Sequence, residues 1–72
     1  NSEQRALELT RQWVVGTRFA VMEVDVIDTT VDARIIGSGQ PPDVNDLAAA
    51  LGPQYTVRVD VQKGELLEVD PQ

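Results

Sequence analysis

Cysteine and histidine are both absent from the 72-residue chain, which removes most of the staples and much of the chemistry open to a small domain. Without cysteine there is no disulfide framework, no thiolate nucleophile and no thiolate metal ligand. Without histidine the usual base near neutral pH and the commonest metal ligand are missing as well. Paired carboxylates can still do acid–base work, but only in a cleft that raises one pKa. Neither Glu23 nor any Asp sits in a pattern that predicts such burial. Catalysis by this chain alone is not expected, nor is a cofactor or a bound metal.

Basic charge is also scarce. Six Lys and Arg against twelve Asp and Glu give a formal charge of -6, the wrong sign for a groove that neutralises phosphates or for adsorption to an anionic membrane. Nucleic acid is excluded as an expected partner. Long apolar runs are missing too: the longest, Leu47-Ala48-Ala49-Ala50-Leu51, falls far below the ~20 residues that span a bilayer. No direct membrane insertion is expected. The chain begins at Asn1 without a signal-peptide pattern, so it reads as a single small domain, residues 1–72, excised from a longer protein. A domain this short buries only about 60% of its unfolded surface. Oligomerisation or docking on a second domain would widen its thin stability margin.

What is present is clear periodicity. Ala6, Leu9 and Trp13, with Thr10 and Val14, recur at helical spacing and predict a helix over 2–15, N-capped by Ser2 and stopped by Gly16. Over 18–27 the period changes to two: Ala20, Met22, Val24 and Val26 alternate with Phe19, Val21, Glu23, Asp25 and Ile27. A second strand follows over 31–37. Pairing Val26 with Val31 also sets Val24 against Ala33 and Met22 against Ile35, apolar on apolar, around a turn within Asp28-Thr29-Thr30. Asp43 caps a second helix over 43–51 in which Val44, Leu47, Ala48 and Leu51 form the stripe, closed by Gly52-Pro53. A third strand covers 55–62, its polar face carrying both signs of charge, and 65–69 fits a short edge strand ended by Pro71.

The expected fold class is therefore α+β in the order α-β-β-α-β. The expected topology is a split βαβ unit in a three- to four-stranded sheet, with the first strand central and both helices packed on it. Central placement would account for the apolar residues on both faces of the first strand.

Three features invite a functional reading. Gly37-Ser38-Gly39 lies between a strand and a helix, where glycine loops cradle phosphate, but Pro41 and Pro42 remove donors and Asp43 occupies the anion's place; it reads as a strand-to-helix turn. Asp25, Asp28 and Asp32, with Thr29 and Thr30, offer hard oxygens in a spacing that matches no calcium loop, and read as a solvated acidic turn. Trp13, on a helix stripe, reads as core. The most telling set is Phe19, Val21 and Ile27, joined by Ile36: exposed on the sheet's back they form a contact surface for another copy or domain, and covered by the first helix they are ordinary core.

Gly37-Ser38-Gly39-Gln40-Pro41-Pro42-Asp43, then Leu47-Ala48-x-x-Leu51-Gly52-Pro53, then Val57-Arg58-Val59-Asp60-Val61 resembles the soluble C-terminal region of a family of uncharacterised bacterial and archaeal membrane proteins, known for a hydrophobic domain of unknown function. The resemblance runs from about Leu7 to Val69. It implies a multi-spanning membrane domain in the parent protein, hence a place at the cell membrane, and transfers no active site. The element order also resembles the BON domain, a helix-strand-strand-helix-strand module linked to membrane-associated and ligand-binding roles; the acidic balance here departs from headgroup binding. The expected function is a non-catalytic interaction or oligomerisation module appended to a membrane protein, with a homo-oligomer or the parent's membrane domain as partner. The alternative is a small-ligand or ion-sensing domain using the acidic turn or the 37–43 loop.

Overall fold

A computed structural model describes residues 1–64 and 67–71. Helix α1 (Ser2–Trp13) precedes strands β1 (Phe19–Ile27) and β2 (Thr30–Gly37), helix α2 (Val44–Leu51) and strand β3 (Thr56–Lys63), which gives the expected α-β-β-α-β order. Asn1, not Ser2, caps α1, its side-chain oxygen accepting from the Gln4 N–H at 2.8 Å. The helix ends at Trp13, two residues earlier than its apolar spacing suggests, and Gly16 turns the chain with a φ of 83°. Residues 65 and 66, where the short edge strand was expected to begin, lie outside the described residues; Leu67, Glu68 and Val69 are not in a strand.

Sheet order is β1-β2-β3, with β1 antiparallel and β3 parallel to β2. The split βαβ arrangement does not form: β2 is the central strand, α2 carries a direct crossover from β2 to β3, and β1 is an edge. The hairpin register matches the expectation from Val26↔Val31 to Val24↔Ala33 and then slips, so that Val21, not Met22, faces Ile35. Met22 is a β-bulge. An extra residue reverses the alternation, so Phe19 and Val21 before it turn to the same side as Val24 and Val26 after it. This replaces central placement as the reason β1 is apolar at both odd and even positions.

All four of those side chains face the helices. One buried cluster joins Ala6 of α1 to Val24, Val31 and Ala33 of the sheet and to Leu47 and Leu51 of α2; a second joins Val14, Phe19 and Ile35, and Trp13 packs against both. Thr10, fully buried, satisfies its hydroxyl by donating to the Ala6 carbonyl at 2.7 Å. The helices are also clamped end to end. Trp13 Nε1–H donates to the Asp43 carbonyl at 2.8 Å at the start of α2, while the Arg5 guanidinium reaches the Ala50 and Leu51 carbonyls, each at 3.4 Å, at its end. Arg5 thereby supplies the positive charge that the last turn of α2 lacks.

Gly37 sits where another stretch of backbone comes close. A Cβ there would collide with the Arg18 carbonyl oxygen and lie 2.7 Å from the Phe19 Cα, both backbone atoms with no room to yield. Gly37→Ala is expected to lower the unfolding free energy by about 2 kcal/mol or more, read from the urea midpoint. The bulge has its own contrast: Met22 is 51% exposed and Phe19 is 6% exposed. Met22→Ser should change stability by under ~0.5 kcal/mol, whereas Phe19→Ala should cost about 3 kcal/mol or more; a regular ladder with Met22 inward gives the reverse order.

Candidate functional site

The four residues read from the sequence as an interaction surface do not form one. The bulge carries Phe19 into the second core cluster, where Lys63 Nζ lies 5.3 Å from the ring centroid, and packs Val21 beneath the helices. Ile27 and Ile36 stay on the opposite, helix-free face, 64% and 38% exposed, Ile27 beside the hairpin turn and Ile36 across from Ala20 near the other end. The alternative of coverage on the helix side holds for Phe19 and Val21.

The helix-free face is instead a charged surface. Across the three strands one row reads Asp25, Asp32, Arg58 and the next Glu23, Arg34, Asp60. Arg34 at the centre of its row pairs with both neighbours, 3.6 Å to Glu23 and 3.3 Å to Asp60. Asp25 and Asp32 stand directly opposite each other with like charge. The hairpin closes through Asp28-Thr29, and Asp28 takes a φ of 55°, a left-handed conformation that aspartate tolerates better than most residues. No group of three or more acidic residues among the described residues is placed to hold a metal ion. In the 37–43 loop the Asp43 carboxylate accepts from the Asn45 N–H at 2.9 Å, filling the start of α2, and the Gly39 carbonyl accepts from Lys63 Nζ.

What remains open is β3. Its helix-side residues Val57 and Val59 pack against the cluster containing Leu47 and Leu51 of α2 yet are only half-buried, and Val61 is 36% exposed. Trp13, Pro41, Pro42 and Val44 complete a groove of about 350 Å³ along them, with Val44 itself 40% exposed. Among the described residues the sheet has three strands and nothing pairs with the outer edge of β3. Thr56 N–H donates to the Thr29 carbonyl and Gly64 N–H to the Gly37 carbonyl, both at 2.7 Å, so even-numbered residues turn their backbone groups toward β2. Val57, Val59 and Val61 then turn theirs outward, since both polar groups of a strand residue point to one side.

Open backbone donors and acceptors beside a half-covered apolar strip are the elements of strand addition, in which a partner's extended segment extends the sheet. The sequence pattern places these valines correctly on one face but does not reveal that the face is left uncovered. The readable signal is the brevity of the helix expected over 43–51.

No protein-family model matches the chain, and neither does any curated protein or solved structure. Among the described residues no helix is long and apolar enough to cross a membrane.

The opposed Asp25 and Asp32 supply a test of the charged face. Asp25→Lys is expected to raise stability by a few tenths of a kcal/mol at low salt, with the gain shrinking as ionic strength rises. Urea midpoints at two salt concentrations measure it; an unchanged or lowered midpoint at low salt contradicts the like-charge contact.

Proposed function

We propose that this chain is a non-catalytic interaction module that takes an extended strand from a partner along the open edge of β3. The observation carrying the reading is the outward-turned backbone of Val57, Val59 and Val61, set beside the groove of Trp13, Pro41, Pro42 and Val44. A partner strand gains main-chain hydrogen bonds from the edge and buries alternate side chains in the groove. The charged face carries no competing assignment: Glu23, Asp25, Asp32 and Asp60 share a depression of about 450 Å³ with Arg34 and Arg58, but Glu23 and Asp60 pair with Arg34, and both of them and Asp25 stay exposed to solvent. The acidic turn and the 37–43 loop offer no comparable support for ion or ligand sensing. A membrane-protein parent belongs to the same proposal and rests on the motif resemblance alone.

The probe is a capped peptide of alternating Val and Thr, titrated into dilute, isotope-labelled chain. Amide shifts are expected at Val57, Val59 and Val61, with the Trp13 indole N–H and Val44 following. An absence of shifts at millimolar peptide overturns the reading.

A further inference from the structure

Resting on that reading, we infer that the strand β3 accepts is β3 of a second copy, paired antiparallel about a two-fold axis through Val59. The segment Thr56-Val57-Arg58-Val59-Asp60-Val61-Gln62 is self-complementary about its centre. In this register Val59 meets Val59, Val57 meets Val61, Thr56 meets Gln62 and Arg58 meets Asp60, each across copies. The valines are the residues whose backbone groups face the open edge, so they form the hydrogen-bonded pairs. Arg58 and Asp60 fall at the non-hydrogen-bonded positions, where opposed side chains approach more closely. Among the described residues Arg58 makes no ion pair within the chain, while Asp60 pairs with Arg34. The two-fold axis gives Arg58 its partner.

The charges also select this register. Sliding the pair by two residues either way keeps the hydrogen-bond parity but sets Arg58 against Arg58 or Asp60 against Asp60, which is unfavourable. The other open edge is built against such pairing. Strand β1 carries the bulge at Met22, and a two-fold through Val24 would oppose Glu23 with Asp25, acid on acid. Pairing at β3 joins the two sheets with both helix layers on the same side. The valine strips of the two copies then meet beneath Pro41, Pro42 and Val44 of each, covering the exposed Val61 and Val44.

Sedimentation equilibrium from micromolar to millimolar chain tests this. Wild type is expected to form a dimer. Arg58→Glu and Asp60→Lys should each weaken self-association at least about tenfold, because every attractive cross-copy charge pair becomes repulsive. Mixed in equal amounts, the two variants should associate again. The acid introduced at position 58 of one chain then meets the base introduced at position 60 of the other, and the second cross-copy pair is the native Arg58 with Asp60. Val61→Pro, which removes an outward N–H and no bond to β2, should abolish the dimer while circular dichroism stays native. A wild type that remains monomeric at millimolar concentration overturns the inference, as does a mixture that fails to restore association between two folded variants. If the monomeric wild type still takes up the Val-Thr peptide, only the identity of the partner is wrong; if it does not, the interaction reading falls with it.

Discussion

The bulge at Met22 is the constraint on which the other features depend. Without it, a strict two-residue alternation would send Phe19 and Val21 to one face of the sheet and Val24 and Val26 to the other. Each face would then need its own covering layer. The two helices among the described residues, twelve and eight residues long, are enough for one layer. By placing one residue out of register, β1 delivers all four apolar side chains to the helix side. The opposite face is thereby free to carry the rows of charge centred on Asp32 and Arg34.

The second constraint is a mismatch of lengths. Helix α2 rises about 12 Å over its eight residues, whereas the eight residues of β3 extend about 26 Å. No placement of the helix covers the strand. Side chains from α1 tie down both ends of α2: Trp13 donates to the Asp43 carbonyl at its start and Arg5 reaches the Ala50 and Leu51 carbonyls at its end. The groove beside Val57, Val59 and Val61 follows from that fixed position. The surface proposed to bind is thus the portion of the core that a short crossover helix leaves unfinished.

Local chemistry accounts for much of what is legible in the residues alone. Helical and strand periods are properties of side-chain spacing along the backbone, so the five elements and their order are visible in Ala6 to Trp13, in the alternation from Phe19 to Ile27, in Val31 to Ile35, in Val44 to Leu51 and in the valines of β3. Asp43 announces its own cap, and the half of the hairpin register nearest the turn follows from setting Val26 against Val31. A β-bulge, by contrast, leaves no mark in composition. Met22 is a good core residue by type, and only the competition between Val21 and Met22 for the place opposite Ile35 puts it outside. The interaction set of Phe19, Val21, Ile27 and Ile36 dissolves for that reason.

By itself, then, the sequence determined the elements, the absence of histidine and cysteine chemistry and the acidic balance, because each depends on residue type and near-neighbour spacing alone. It also contained the self-complementary run from Thr56 to Gln62, whose meaning depended on where that run would lie. The tertiary structure decided strand order, the slip at Met22 and the exposure of β3. Those outcomes turn on contacts between residues far apart in the chain: Gly37 against Arg18, Trp13 against Asp43, and β3 against β2 across the α2 crossover. Whether a valine face is interior or open is set by what packs over it, and no spacing within the strand encodes that.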